Sequence, residues 1–268
     1  MPEIPDLEAI RGFLNQRLPG QRIERAEFLI PVVFRVPKEE FVTTLEGSAF
    51  GQTERKGKFL LFGLTSAHRL VINAMLTGRF QYLRPDAKRR AKTCLVLGLA
   101  NGWELRYADD RLMGKVYLVP DERLSEIPQF PEMGPDALEV SREEFAQRIR
   151  RFTGQIKSIL VNHRFIAGIG NAYSDEVLFA ARLHPYRKRT TLAGEDIERL
   201  YDAMHKVFGW ATPIVAEQMR EELNYEERRD FLKVHRRGGE PCPVCGTRIS
   251  EITAGQRITS FCRNCQPG

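Results

Sequence analysis

The sequence has no apolar run that approaches the roughly 20 residues that a membrane-spanning helix needs. Its first residues, MPEIPDLEAI, lack the basic and apolar regions of a secretory signal. Internal repeats and low-complexity tracts are also lacking. With 42% hydrophobic and 28% charged residues, the composition is that of an ordinary globular protein. We therefore expect a cytoplasmic protein of one large or two modest domains that makes no contact with a membrane.

Cysteine is scarce, with five residues in the chain, and four of the five lie within the last 27 residues. In a reducing compartment such a cluster indicates a metal site rather than a disulfide framework. The spacing C-x2-C-x16-C-x2-C presents two pairs of thiolates to one Zn²⁺ and leaves no open coordination position. We therefore predict one structural zinc ion, held by Cys242, Cys245, Cys262 and Cys265. The remaining cysteine, Cys94, lies in an alternating apolar run and is expected to be a buried thiol.

Positive charge exceeds negative charge, with a formal net charge of +6 and a sequence pI of about 9.1. Such a balance favours a polyanionic partner. Between the two cysteine pairs, the segment EITAGQRITSF predicts a hairpin with Gln256 and Arg257 at or near its tip. An arginine held on a rigid hairpin is suited to phosphate contact, although a lone arginine is more often a solvated surface charge.

The periodicity of apolar residues changes from strand-like to helical near the middle of the chain. Residues 21–120 form short alternating runs bounded by turn residues, which predict an antiparallel β-sandwich preceded by a helix that Asp6 caps. A proline- and glycine-rich loop at 127–138 leads into amphipathic helices, the first of which opens on a capping box at Ser141. We predict an α+β multidomain fold with a sandwich domain over 1–130, a helical domain over 131–230 and a zinc-finger β-hairpin over 231–268.

Pro2 and Glu3 are unremarkable as a lead-in to a helix. However, Met1 precedes a small residue and is removable, and its loss leaves Pro2 with a free secondary amine. An α-amino group has a pKa of about 8, so it is partly neutral at physiological pH. Such an amine can form a Schiff base with an aldehyde-like carbon, and Glu3 could shuttle protons. If Met1 stays on, Pro2 is an amide and this chemistry is lost.

Five motifs resemble, in the right order, those of the formamidopyrimidine-DNA glycosylase and endonuclease VIII family. They are MPEIPDLE, KGKFLLF, RYADDRLMG, IAGIGNAYSDEVLFAARLHP and the zinc segment GEPCPVCGTRI with QRITSFCRNCQ. The resemblance runs from end to end and implies that the helical domain is a helix-two-turn-helix DNA-binding domain. The implied partner is double-stranded DNA that contains a damaged base or an abasic site. The resemblance also implies a monomer in the cytoplasm, associated with the nucleoid of a bacterial-type cell.

The resemblance implies a mechanism as well. The damaged nucleotide is flipped out of the duplex, the Pro2 amine attacks C1′, and the resulting imine permits β-elimination of the strand. The enzyme would then be a bifunctional glycosylase and abasic-site lyase that needs no organic cofactor, with Glu3 assisting proton transfer. Lys58 aligns with a lysine that contacts phosphate near the lesion, and Lys56 is its nearby competitor.

Other site residues are carried over in the same way. Asn171 aligns with a phosphate-binding asparagine and could also cap the helix that follows the glycine turn, while Arg257 aligns with a phosphate-gripping arginine. Lys157 and Tyr173 are expected beside phosphates. The residues assigned to the base pocket are Glu176, which could instead be a surface carboxylate, and Asp6, which replaces the family's glutamate.

The residues expected to fill the gap left by a flipped base depart from the family pattern. In NAMLTG, alignment on Gly78 puts Leu76 at the position of the family's methionine, and a shift of one residue would restore Met75. In DDRLMG, Arg111 is retained while Met113 replaces an aromatic wedge. We expect Met75, Leu76 and Met113 to fill this gap, with ordinary core packing as the alternative.

Residues 209–237 lack the glycine-rich segment that caps flipped 8-oxoguanine in typical members, so oxidised-purine specificity does not carry over. The main alternative function is a non-catalytic or lyase-deficient member that binds damaged or distorted DNA. The presence of Pro2, Glu3 and Lys58 argues against it, because a pure binder has no need of them. The matches at the N-terminus and the glycine turn disfavour a third interpretation, a zinc-ribbon protein without damage preference.

Overall fold

The computed structural model describes residues 1–224, 226–254 and 257–268. They form two compact units, one of Met1–Pro131 with Thr212–Glu227 and the other of Glu132–Ala211 with Arg228–Gly268. The sequence-based division differs, because it placed 212–227 with the helical domain and set the zinc module apart. A short strand within 212–227 pairs with a sheet of the first unit and brings this segment back to it.

The first unit contains the predicted antiparallel sheets. Their strand orders are β1-β6-β7-β5-β9 and β2-β3-β4-β8. The helices and strands of this unit are α1 (Ile4–Asn15), β1 (Ile23–Phe28), α2 (Lys38–Leu45), β2 (Phe50–Lys56), β3 (Phe59–Leu64), β4 (His68–Asn73), β5 (Gly78–Leu83), β6 (Thr93–Leu99), β7 (Glu104–Asp109), β8 (Lys115–Pro120) and β9 (Leu223–Asn224).

Aromatic side chains join the two sheets of the first unit. The ring of Phe62 in β3 lies 6.3 Å from that of Phe80 in β5, centroid to centroid, and 6.0 Å from that of Phe50 in β2. All three rings are buried, and removal of such rings from water is a large part of the stabilisation of a core. The predicted sandwich is therefore confirmed.

The start of α1 differs from the prediction. The N-cap is Glu3 and the helix begins at Ile4, so the expectation that Asp6 caps it was wrong by three positions. Pro5 is tolerated in the first turn, where its missing N–H would have no partner within the helix. The earlier start brings Glu3 to the end of the helix where backbone N–H groups point outward.

The helices and the zinc hairpin make up the second unit. Ser141 Oγ accepts a hydrogen bond from Glu144 N at 3.1 Å, as its capping role predicts. Phe179 of α5 packs in one buried cluster with Val234 and Ile249 beside the cysteines. The elements are α3 (Arg142–Ile149), α4 (Ile156–Leu160), α5 (Asn171–Ala180), α6 (Gly194–Gln218), β10 (Ser250–Ala254) and β11 (Arg257–Phe261), and α6 continues into the first unit.

Across 1–224, 226–254 and 257–268, no helix is both long enough and apolar enough to cross a bilayer.

Candidate functional site

The N-terminal residues singled out by the sequence are held in place by the fold. Pro2 and Glu3 are buried immediately before α1. The Glu3 backbone N–H donates to Asp6 Oδ2 at 2.8 Å, which ties the third residue of the chain to the first turn. Asp6 therefore fixes the position of Glu3, a different role from the base-pocket role that the resemblance suggested.

Lys58 lies in the two-residue loop between β2 and β3 and is half-buried. The pair Lys56 and Phe59 closes this loop, and Gly57 adopts a φ of 58°, a conformation that glycine reaches without strain. The Lys56 ammonium is 5.0 Å from the centre of the Phe130 ring, within cation–π range. Lys56 thus has an aromatic partner within the first unit, and the phosphate contact of Lys58 stays a prediction.

Asp109 organises two loops at one end of the sandwich. Its Oδ2 accepts from Gly114 N at 2.6 Å, and its Oδ1 accepts from the Thr77 hydroxyl and from Arg111 N, the latter at 3.2 Å. The Thr77 hydroxyl also accepts from Arg111 N at 3.0 Å. A Cβ at Gly114 would lie 1.9 Å from the Tyr107 hydroxyl oxygen, so only glycine fits there. One buried carboxylate thus couples the loop after β4 to the loop after β7.

These two loops carry the predicted gap-filling residues. Leu76 and Met113 are 40% and 41% exposed, which is unusual for large apolar side chains and unlike core packing. Met75 is half-buried and adopts a φ of 47°, with its N–H bonded to Asn73 Oδ1 at 3.0 Å. The structure therefore favours Leu76 and Met113 over Met75 as apolar wedges. Arg111 is exposed on the same loop as Met113.

Asn171 stands at the beginning of α5 but does not cap it. Gly170 is the N-cap, and Asn171 Nδ2 donates to Ile258 O of the zinc hairpin at 2.8 Å. The capping prediction was wrong because the preceding glycine turn takes that position. An amide nitrogen has two N–H groups, and backbone N–H groups emerge at the same helix end. The phosphate role of Asn171 thus stays a prediction with a suitable geometry.

The surroundings of the Lys157 side chain differ from the sequence-based expectation. Its side chain is 9% exposed, and Nζ lies 2.6 Å from Asp175 Oδ1. The same Nζ donates to Ile258 O and Thr259 Oγ1, both at 2.9 Å. All three of these partners are protein atoms. Lys157 is therefore a buried link between α4, α5 and the zinc hairpin, and its expected place beside a phosphate stays a prediction.

Tyr173 is likewise inside the second unit. It has no exposed surface, and its ring lies 6.0 Å from the Phe208 ring and 5.4 Å from the Arg229 guanidinium. This packing makes the Tyr173 side chain part of the core between α5 and α6, and its assignment as a phosphate neighbour stays a prediction.

Glu176 is 1% exposed, so it is not a surface carboxylate, and its assignment to the base pocket stays a prediction. It accepts hydrogen bonds from three successive backbone N–H groups, those of Lys233, Val234 and His235, at 2.9 to 3.0 Å. Burial raises the pKa of Glu176 above its usual range, against the effect of these three donors. The side chain therefore fixes the segment that leads into the zinc module.

The four predicted zinc ligands come together. Their Sγ atoms all lie within 4.8 Å of one another, with 3.8 Å between Cys242 and Cys265 and 3.5 Å between Cys245 and Cys262. Tetrahedral zinc with bonds of about 2.3 Å requires sulfur–sulfur distances of about 3.8 Å. The donor set fits one structural zinc ion, as predicted. Arg257 is the first residue of β11 and is exposed, whereas Gln256 lies outside the described residues.

Four structurally important residues were missed by the sequence analysis. Asp175 accepts from Ser260 N at 3.2 Å, and its Oδ2 lies 2.7 Å from His235 Nδ1. Asp109 and Thr77 form the loop coupling described above. Two adjacent acids in the helix NAYSDEVLFA, just before the apolar run VLFA, were a signal, because buried carboxylates require partners.

Three family models match the chain in order. They describe the formamidopyrimidine-DNA glycosylase N-terminal domain at residues 1–116, the formamidopyrimidine-DNA glycosylase H2TH domain at 133–221, and the zinc finger found in FPG and IleRS at 239–268.

Similar proteins support the same family over the whole length. The formamidopyrimidine-DNA glycosylase of Pelotomaculum thermopropionicum is 35% identical over 276 residues, with 99% of each chain covered. That of Symbiobacterium thermophilum is 37% identical, with 100% of this chain and 90% of its own covered. The structure of Lactococcus lactis Fpg complexed with abasic-site DNA has a TM-score of 0.91 at 28% identity, with both chains fully covered. The chain therefore belongs to the formamidopyrimidine-DNA glycosylase family of base-excision-repair enzymes, as its five motifs indicated.

Proposed function

We propose that this DNA glycosylase is bifunctional, with the Pro2 amine as the nucleophile for both base removal and strand cleavage. Its substrate is double-stranded DNA that contains a damaged base, and it acts as a monomer in the bacterial cytoplasm. The nitrogen of Pro2 attacks C1′, and the bond from C1′ to the base breaks with its electron pair leaving on the base. Opening of the sugar gives an iminium ion, which acidifies the 2′ carbon. Loss of a 2′ proton then expels the 3′ phosphate and cuts the strand.

The observation that carries this proposal is the anchoring of the chain start. Pro2 and Glu3 are buried, and the Glu3 backbone is bonded to Asp6, so the nucleophile stands at a fixed position beside a carboxylate. A nucleophile held in place gains from the lower entropic cost of attack. Glu3 supplies the proton exchange at the sugar oxygen that ring opening requires.

Borohydride trapping on DNA with an abasic site tests the proposal directly. Protein whose N-terminus is shown by mass spectrometry to begin at Pro2 should yield a covalent adduct. The matched control is the same protein with one additional N-terminal residue that is not removed, because its Pro2 nitrogen is an amide. Pro2→Gly removes the secondary amine from the N-terminus, so the adduct that this amine forms should be lost.

Failure of correctly processed protein to form an adduct would refute the lyase step. Tight binding to abasic-site DNA under those conditions would instead favour the alternative, a lyase-deficient member of the family. The base specificity is assigned by excision rates on a panel of oxidised purines, oxidised pyrimidines and bulky lesions. Because Leu76 and Met113 replace the family's wedges, we expect excision rates that vary little among the four opposing bases.

A further inference from the structure

The segment that follows α6 is attached to the sandwich at the edge of β5. Leu223 and Asn224 pair with Tyr82 and Gln81, and the buried Gln81 Nε2 donates to Asn224 Oδ1 at 2.8 Å. This segment lies within residues 209–237, where the family's glycine-rich segment is lacking. The pairing of β9 with β5 fixes the position of the residues that follow β9 within the first unit.

Two consecutive glutamates of this segment take different partners. Glu226 Oε1 lies 2.8 Å from Arg90 Nη2, whereas Glu227 Oε2 lies 2.6 Å from the N-terminal nitrogen of Met1. The first contact ties the segment to the loop between β5 and β6. The second brings a carboxylate to the end of the chain where the nucleophile is formed.

Removal of Met1 moves the terminal amine by one residue. The nitrogens of consecutive residues are about 3 to 3.7 Å apart by covalent geometry, so the Pro2 amine emerges within reach of the Glu227 side chain. Resting on the function proposed above, we propose that Glu227 is a positioning residue that holds the Pro2 ammonium and accepts its proton before attack. The proton passes to the carboxylate, and the lone pair left on nitrogen forms the bond to C1′.

Other charged groups lie on the elements around the N-terminus. Glu3 is the N-cap of α1 and Asp6 lies in its first turn, and β2 packs against α1 through an ion pair of 2.6 Å between Arg55 and Glu8. That strand and its loop also carry Lys56 and Lys58. All of these groups stay in place when Glu227 alone is changed, so its contribution can be isolated.

The test is the pH profile of the single-turnover trapping rate with borohydride on abasic-site DNA. Glu227→Gln removes a negative charge close to the amine and should move the midpoint of the acid limb to lower pH by about half a unit to one unit. The plateau rate at high pH should fall several-fold because the amine is held less firmly. Glu227→Asp should recover part of the shift.

Glu226→Gln is the matched control, since it neutralises the adjacent residue of the same segment and should keep the wild-type midpoint. Superimposable profiles for wild type and Glu227→Gln would overturn the inference while leaving the nucleophile assignment intact. An equal loss of rate at every pH would also overturn it, because that is the signature of a merely structural role. Absence of an adduct in every variant would refute the proposed function itself, and this inference with it.

Discussion

Replacement of Lys157 by methionine separates the two roles considered for this residue. The substitution keeps most of the side-chain volume but leaves the Asp175 carboxylate, which is 1% exposed, without its ammonium partner. Removal of one partner of a buried ion pair costs about 3 to 5 kcal/mol. Because His235 still contacts the other oxygen of Asp175, we expect the lower end, about 3 kcal/mol. For a unit of this size, that is a fall of about 10 °C in the unfolding midpoint.

The assay combines thermal unfolding with the salt dependence of DNA binding. Lys206→Met is the matched control, because Lys206 is an exposed lysine of the same unit. Lys157→Met should lower the unfolding midpoint without changing the salt slope of binding, and a second substitution, Asp175→Asn, should restore part of the stability. A phosphate contact would behave in the opposite way, with an unchanged midpoint and a salt slope reduced by about one. That outcome would refute the structural assignment.

Three further results are expected. Asp109→Asn should cost about 1 to 3 kcal/mol of stability, because a buried acceptor becomes a donor that faces other donors, and denaturant unfolding measures this loss. Leu76→Ala should slow base excision from duplex DNA more than it slows trapping on a single-stranded abasic oligonucleotide, since only a duplex has a gap to fill; equal losses on both substrates would count against a wedge. Chelation of zinc should abolish DNA binding reversibly. Zinc binds cysteine as thiolate and competes with protons for all four sulfur atoms, so it should dissociate more readily at pH 5.5 than at pH 8, as a zinc-sensitive dye would report.

Local sequence patterns were sufficient to predict much of the fold. The cysteine spacing predicted all four zinc ligands, and two-residue alternation predicted the strands of the sandwich. Both signals come from residues that are close in sequence. The start of α1 was misplaced because aspartate is a favourable cap, whereas the tertiary structure extends the helix back to Ile4.

Elements that depend on distant partners were not predictable in this way. The helix α2 has the sequence KEEFVTTL, whose β-branched residues do not favour a helix, and it is stabilised by Phe41 against the rings of Phe28 and Phe34. The strand β9 is two residues long and pairs with residues more than 140 positions earlier. No local periodicity indicates such a pairing.

The roles of charged residues were the least accessible from the sequence. The family resemblance placed Lys157 beside a phosphate and Glu176 at the base pocket, and lysine and glutamate are residue types that are rarely buried. In the structure each of them bonds a backbone atom of the zinc module, many residues away, and Lys157 also contacts the side chains of Asp175 and Thr259. A family motif thus identified these positions as important without distinguishing a ligand contact from a structural one.

The pairing of β9 with β5 bears on how this protein can be divided or recombined. A fragment that ends at the proline-rich loop would contain all strands of the sandwich except β9. The backbone groups of β5 that pair with β9 would then be unpaired at an exposed edge. Such an edge is a template for association between copies, so we expect that fragment to aggregate. The first unit is consequently not contiguous in sequence, and a transplantable version would need residues 212–227 joined to it through a designed linker.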